Sequence, residues 1–247
     1  MSVAEGQRRL VVGLCVIGDE VLSGKVVEQN AAFLIGRFRE LGVRVREVAV
    51  VPDERPAIVE AVARLESRAD FVLTTGGIGP THDDVTLAAM ADLRQVDIVE
   101  HPAIAERLAA HMSGPAAEGY RRLARVPVGT ELVWGAGVPW PALRHGKTWL
   151  LPGIPPLLQR VFDGIESHFR GSPRWFQAAL ELAVEESLVC EALDGIVVQH
   201  PAVQIGSYPR LEGTGWRLKV TFEGGDEGAV EAARDAARSA FHAHVAN

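Results

Sequence analysis

Thr74-Thr75-Gly76-Gly77-Ile78-Gly79-Pro80-Thr81-His82-Asp83-Asp84-Val85-Thr86 is the stretch on which the fold turns. It follows the apolar run Phe71-Val72-Leu73 and precedes Leu87 to Leu93, whose spacing predicts a helix. A buried strand therefore ends in a glycine turn, and a helix begins just past two adjacent carboxylates. Glycine tolerates positive φ, so such a loop can curl its N–H groups inward, and a helix start adds partial positive charge. Together these features predict an anion cradle. Two aspartates beside a bound phosphate would repel it unless a divalent cation bridges carboxylate and phosphate oxygens. The stretch reads as a phosphate-plus-metal site.

Working outward, Leu10 to Ile17 is a short valine-rich run suited to a strand buried on both faces. Val27, Ala31, Leu34, Ile35, Phe38 and Leu41 recur at helical spacing, with Gly42 as a stop. Val43 to Val51 is a second strand, Pro56 opens a second helix, and Phe71 to Thr75 is the third strand. Strand-helix-strand-helix-strand implies parallel pairing with helices on both faces, an α/β three-layer, doubly wound, mostly parallel sheet. Helical stretches follow at Ala103 to Met112 and Ala116 to Leu123. Strands are expected at Thr130 to Trp134 and Lys147 to Leu151, with a Gly/Pro-rich loop between them, and a closing helix at Pro155 to Phe169. The chain changes character around Gly171. Residues 1–171 are read as the main domain, and 172–247 as a small α+β domain of βαββα pattern.

Composition narrows the function classes. With 247 residues, 47% hydrophobic and 23% charged, the chain has enough apolar material for a real core. A net charge of −7 argues against a nucleic-acid surface. Phosphorylated metabolites remain open, because backbone amides and a metal need no basic excess. Only Cys15 and Cys190 occur, which leaves no disulfide framework and points to a cytosolic setting. No run approaches the roughly 20 apolar residues of a membrane span, and Leu10 to Ile17 is too short for a secretory signal.

In a doubly wound sheet, ligands sit outside the carboxyl ends of the parallel strands. The loops at Gly18 to Gly24, Pro52 to Glu54 and Gly76 to Asp84 all emerge there, and the Pro152-Gly153 turn is expected to join them. Gly76, Gly77 and Gly79 either make a tight strand-to-helix turn or hold a phosphate. Asp83 and Asp84 either stabilise the helix start, with Thr81-x-x-Asp84 resembling a capping box, or bind a metal. Asp19 and Glu20 either cap a helix or complete a hard-oxygen metal site opposite Asp84. Ser23 and Asn30 either orient phosphate or ribose hydroxyls or cap the next helix. Asp53 most simply caps the helix opened by Pro56.

A family resemblance rests on four motifs. Thr75-Gly76-Gly77-Ile78-Gly79-Pro80-Thr81 with Asp84-Val85-Thr86 resembles the signature of the MoaB/Mog-like molybdopterin-binding family. Gly18-Asp19-Glu20-Val21-Leu22-Ser23-Gly24-Lys25, Val51-Pro52-Asp53-Glu54 and Leu151-Pro152-Gly153-Ile154-Pro155 are similar, in order and spacing, to the N-terminal part of competence/damage-inducible protein A. The form Thr81-His82-Asp83-Asp84 is similar to the molybdopterin-binding-like domain of eukaryotic FAD synthases. The likeness runs from about Leu10 to Phe169, and Ile205-Gly206-Ser207-Tyr208-Pro209 extends it.

The resemblance implies Asp84, Asp83 and Asp53 as catalytic residues, with Asp84 ahead of Asp83. It implies ligand contacts from Thr75, Gly76, Gly77, Ile78, Gly79, Thr86, Ser23, Gly24, Asn30, Pro152 and Gly153. Asp19, Glu20, Asp83 and Asp84 would hold Mg²⁺, Mn²⁺ or Co²⁺. The activity expected is metal-dependent hydrolysis of a nucleotide pyrophosphate such as ADP-ribose or FAD. The alternative is binding of molybdopterin, or its adenylylation, at the same cradle. Relatives also imply a homo-oligomer, a dimer or trimer. One departure stands out. Relatives of the competence-protein type carry a Gly-Thr-Ala-Pro-Gly-like loop where this chain reads Gly135 to His145 without the threonine. Trp140 in that loop either stacks on a base or covers the core.

Overall fold

The structure is a computed structural model that describes residues 8–111, 113–138, 140–170, 174–213 and 215–245. The chain divides into two compact units, Met1–Ser172 and Pro173–Asn247. Gly171, where the sequence changes character, lies outside the described residues, as does Met112.

The first unit runs β1 (Val11–Ile17), α1 (Asp19–Leu22), α2 (Asn30–Glu40), β2 (Arg44–Val51), α3 (Arg55–Glu66), β3 (Phe71–Thr75) and α4 (Thr86–Arg94). It continues through β4 (Ile98–Glu100), α5 (Pro102–His111), α6 (Pro115–Tyr120), β5 (Arg125–Pro127), β6 (Glu131–Val133), β7 (Ala142–His145), β8 (Thr148–Leu151) and α7 (Pro155–Ile165). The main sheet has the order β2-β1-β3-β8-β7-β6. Its first four strands are parallel, and β7 and β6 are antiparallel additions. Three departures from the sequence reading follow. Ala142 to His145 is strand, because Gly146 takes a φ of 62° and folds the expected loop into a hairpin. β4 and β5 form a separate antiparallel pair. The closing helix breaks into a 3₁₀ turn at Glu166–Phe169.

Strand alternation divides the core between the two sheet faces. Cys15, Ile17, Val72 and Leu150 pack with α3 and α4 residues such as Ile58, Leu65 and Met90. Val12, Leu14, Val16, Leu73 and Leu151 pack with Leu34, Phe38, Phe162 and Phe169 from the α2 and α7 side. On that second face Phe38 meets Phe162 and Phe169 edge-on, at ring distances of 5.3 and 5.2 Å. Each fully buried side chain of this size contributes about 2 kcal/mol, so the layers hold the strand ends in fixed register.

The second unit is β9 (Phe176–Leu182), α8 (Cys190–Gln199), β10 (Gln204–Glu212), β11 (Gly215–Gly224) and α9 (Glu227–Ala240), the expected βαββα order. Its antiparallel sheet, β10-β11-β9, has its own core of Leu180, Leu182, Leu218, Val220, Phe222 and Val230. Asp226 caps α9, its carboxylate accepting the Ala229 N–H at 2.7 Å. Among the described residues, no helix is long and apolar enough to cross a membrane.

Candidate functional site

The loops after β1, β2, β3 and β8 meet at one edge of the main sheet. Gly76 and Gly77 take φ values of 100° and 66°. A Cβ at Gly76 would stand 2.2 Å from the Ile17 carbonyl oxygen, and one at Gly77 would stand 2.2 Å from Thr86 Oγ1. Both positions therefore require glycine. A Cβ on Gly153 would reach within 3.2 Å of Gly76 Cα, so the turn after β8 lies directly on the glycine loop. The expected convergence of these motifs holds.

Several expected ligand contacts turn out to be wall. The Asn30 side-chain amide donates to Thr75 Oγ1 at 2.8 Å and to the Gly153 carbonyl at 2.7 Å. The Thr75 hydroxyl donates to the Pro152 carbonyl at 3.2 Å. Thr86 is fully buried, with its hydroxyl donating to the Gly76 carbonyl at 2.9 Å and its N–H to the Gly77 carbonyl at 3.0 Å. Asn30, Thr75 and Thr86 thus stand behind the loops and fix them. Ser23 and Gly24 are exposed outside the cavity, and the Ser23 hydroxyl faces the Glu20 carbonyl at 3.4 Å.

Asp84 has a different job from the one its sequence position suggests. Its carboxylate accepts the Gly79 N–H at 2.7 Å, the Thr81 N–H at 2.8 Å and the Thr81 hydroxyl. No capping box forms, because Val85 is the residue that opens α4 and Asp84 serves the loop before it. Asp84 is the post around which Gly79 to Thr81 is wound. Asp83 is exposed beside His82 at 3.9 Å and does not line the cavity.

Asp53 does not cap α3 either; Glu54 precedes that helix without a side-chain bond. Instead the Asp53 carboxylate accepts the Asp19 N–H at 2.9 Å, at the start of α1, and ties the β2 loop to the β1 loop. Burial pushes the Asp53 carboxyl above its usual range. The Asp19 N–H opposes that shift, while the charges of Glu20, Asp19 and Asp83 add to it. Glu20 faces the cavity. Four acids therefore share one edge, yet among the described residues no three His, Cys, Asp or Glu side chains are grouped closely enough to hold a metal ion. The expected all-protein set of Asp19, Glu20, Asp83 and Asp84 is not assembled, because Asp84 faces its own loop and Asp83 faces solvent.

A cavity of about 820 Å³ opens at this edge. Gly76 to Pro80, Asp84, Pro152, Gly153 and Glu20 are among its lining residues. The Gly76 N–H is engaged by the Leu151 carbonyl at 3.2 Å, and the Gly79 N–H by Asp84. The N–H groups of Gly77, Ile78, Gly153 and Ile154 have no protein acceptor among the described residues. They are the donors the cradle offers. α7 adds none at its first two positions, since Pro155 and Pro156 lack an N–H. Other lining residues were not legible in the motifs: Arg107 and Leu108 of α5, Tyr120 of α6, Leu123 and Leu157, while Ile154 comes from the motif after β8. Trp140 packs on the core, as one of its two sequence readings has it, and also lines the cavity.

This fold and edge site define a class, and the comparisons place the chain within it. Residues 13–169 match the family model described as "Probable molybdopterin binding domain", and the chain belongs to that family. Residues 174–247 match the model "FAD synthase, middle domain". A protein of Archaeoglobus fulgidus is 31% identical, covering 88% of this chain and 92% of its own length. A "Probable FAD synthase" of Caenorhabditis briggsae is 29% identical over 97% of this chain, which spans only 51% of that relative. Among solved structures, the protein CinA of Thermoplasma acidophilum is 25% identical, with a TM-score of 0.57 over 65% of this chain and 98% of its own.

Proposed function

We propose that the cavity binds a dinucleotide diphosphate of the ADP-ribose or FAD class and hydrolyses its pyrophosphate bond. The observation that carries this reading is that four acceptorless amides, from Gly77, Ile78, Gly153 and Ile154, belong to residues lining one cavity together with Tyr120, Trp140 and Glu20. Backbone amides suit phosphate oxygens, and about 820 Å³ suits a ligand of dinucleotide size. The match of residues 174–247 to a FAD synthase middle domain supports the flavin member of the substrate class.

The donor set fits a divalent cation that shares its coordination with the ligand. Glu20 lines the cavity and the Asp53 carboxylate is tied to the neighbouring Asp19 N–H at 2.9 Å, so Glu20 with Asp53 would hold the ion. Mg²⁺-like ions are usually bound by one or two carboxylates plus phosphate oxygens, which removes the need for a closed protein cage. When bound, such an ion neutralises the diphosphate and lowers the pKa of a water molecule. The amides of Gly77 and Ile78 hold the negative charge that develops as water oxygen bonds to phosphorus and the bridging P–O bond breaks. Tyr120 and Trp140 take the base or the isoalloxazine ring, and Asp84 keeps the loop wound. The products are two phosphomonoesters.

A second reading has its own support. The family description favours a pterin ligand, and the same aromatic residues suit one. Incubating purified protein with ADP-ribose or FAD and Mg²⁺, Mn²⁺ or Co²⁺, then separating the products, is the test. AMP release from either substrate is expected. No turnover with bound metal verified, together with tenfold tighter calorimetric binding of molybdopterin, equivalent to about 1.4 kcal/mol, would replace hydrolysis by pterin binding.

A further inference from the structure

We propose that a second recess, across Pro80 from the cradle, is a phosphate subsite that takes a phosphomonoester carried by the ligand in addition to its diphosphate. The recess has a volume of about 770 Å³ and shares Pro80 with the first cavity as a common wall. Arg121, Arg122 and Arg125 line it, together with Thr81 and a single acid, Glu100. Three arginines and a single acid among the lining residues is an unusual concentration on a chain of net charge −7.

The arrangement follows from the turn that joins α6 to β5. The sequence Arg121-Arg122-Leu123-Ala124-Arg125 forms a 3₁₀ turn and then enters the strand. Ala124 is buried and Leu123 packs on the core, which leaves the three arginines outward. Arg122 Nη1 donates to the Pro80 carbonyl at 3.3 Å, anchoring the recess to the glycine loop. Arg125 stands opposite Glu100 in the β4–β5 register, but its guanidinium forms no ion pair among the described residues. A guanidinium fork matches phosphate oxygens in pairs, so Arg125 is the natural contact for a dianion. The identity of the ligand rests on the proposed diphosphate reading of the cradle; phosphate binding in the recess does not.

The test compares ADP-ribose, ADP-ribose 2′-phosphate and inorganic pyrophosphate by calorimetry in metal-free, low-salt buffer, with wild type and Arg125→Ala. Arg125 is exposed, so the variant should melt like wild type. Wild type is expected to prefer the 2′-phosphate by about tenfold, and the preference should fall below twofold in Arg125→Ala. Added salt should weaken it. Equal affinity of wild type for the two dinucleotides would overturn the subsite and leave the cradle reading intact. If neither dinucleotide binds, the comparison is repeated with Mg²⁺; if neither binds then, the cradle reading fails and pyrophosphate decides the subsite. Binding that Arg125→Ala removes supports the recess, and binding that it leaves unchanged, or no binding, overturns it.

Discussion

Glu66 and Asp53 stand at opposite ends of α3, and so at opposite edges of the same sheet, in contrasting company. At Glu66, Arg94 donates through Nη1 at 2.9 Å and through Nη2, and the Thr148 hydroxyl donates at 2.6 Å. Lys147 closes the cluster by donating to the Ala69 carbonyl at 3.0 Å. Burial works against the Glu66 charge, but the hydrogen bonds from Arg94 and Thr148 and the two cations outweigh it and hold the carboxyl below the usual range. At Asp53 burial acts in the same direction and the neighbours are other acids, so the carboxyl is held above its range. Matched charge at one edge serves the fold. Unmatched charge at the other costs stability and is retained beside a cavity, the pattern expected of a functional edge.

Three measurements sharpen or break this contrast. The largest expected effect is on turnover. Glu20→Gln removes a charge from the cavity wall while its exposed position leaves the fold alone. The pyrophosphatase rate should fall by about a hundredfold or more, with the melting temperature within about 2 °C of wild type. A rate like that of wild type would show that the Glu20 charge has no part in the chemistry.

The next effect is on stability. Glu66→Gln leaves Arg94 facing a neutral acceptor in a site where the glutamate side chain is only 14% exposed. A loss of about 2 kcal/mol is expected, read by denaturant titration. Because the folded-state pKa is depressed, the glutamate's contribution is present above the unfolded pKa and lost as pH falls through the folded one. The wild-type and variant curves should therefore converge in acid, below the ordinary glutamate range. Curves that stay parallel there would mean that the charge of Glu66 is not what stabilises this edge.

The smallest effect carries the opposite sign. Asp53→Asn keeps an oxygen to accept the Asp19 N–H and removes the repulsion from Glu20, Asp19 and Asp83. At neutral pH the variant should melt at, or up to about 2 °C above, the wild-type temperature. The raised folded pKa means wild type recovers that stability as pH falls through it, so the gap should close toward the ordinary aspartate range. A variant clearly less stable than wild type at neutral pH would place Asp53 with Glu66, among the structural acids.

The elements that the sequence defined best are those where one physical term dominates. Phe71–Thr75 is a strand at the bounds its apolar run sets, and Pro56 opens α3 as its missing N–H requires. Gly76 and Gly77 were legible because only glycine takes their φ values. The distribution of roles within the site was less legible. Asp84 and Thr86 lie two residues apart along the chain, yet one winds the loop and the other plugs it from behind. That difference depends on which way each side chain turns after the glycines. Arg107, Tyr120 and Leu123 escaped notice because nothing in their local spacing tells that α5, α6 and the turn after them lie over the cradle. The hairpin at Gly146 shows the same limit, since a four-residue strand has too short a pattern to announce itself.

The contact between Gly76 and Gly153 has a consequence for how the site comes into being. The two glycines lie 77 positions apart in the chain and touch through backbone alone, so neither loop carries a complete donor set by itself. Half of the acceptorless amides arrive with β3 and half with the turn after β8, and the two halves meet only when β8 zips onto β3. That pairing is a long-range closure, of the kind that chain entropy makes slow. A ligand held by both loops therefore binds only chains that have completed it, and by mass action draws the population toward them. The cradle thus doubles as a clasp, and its ligand as a folding aid.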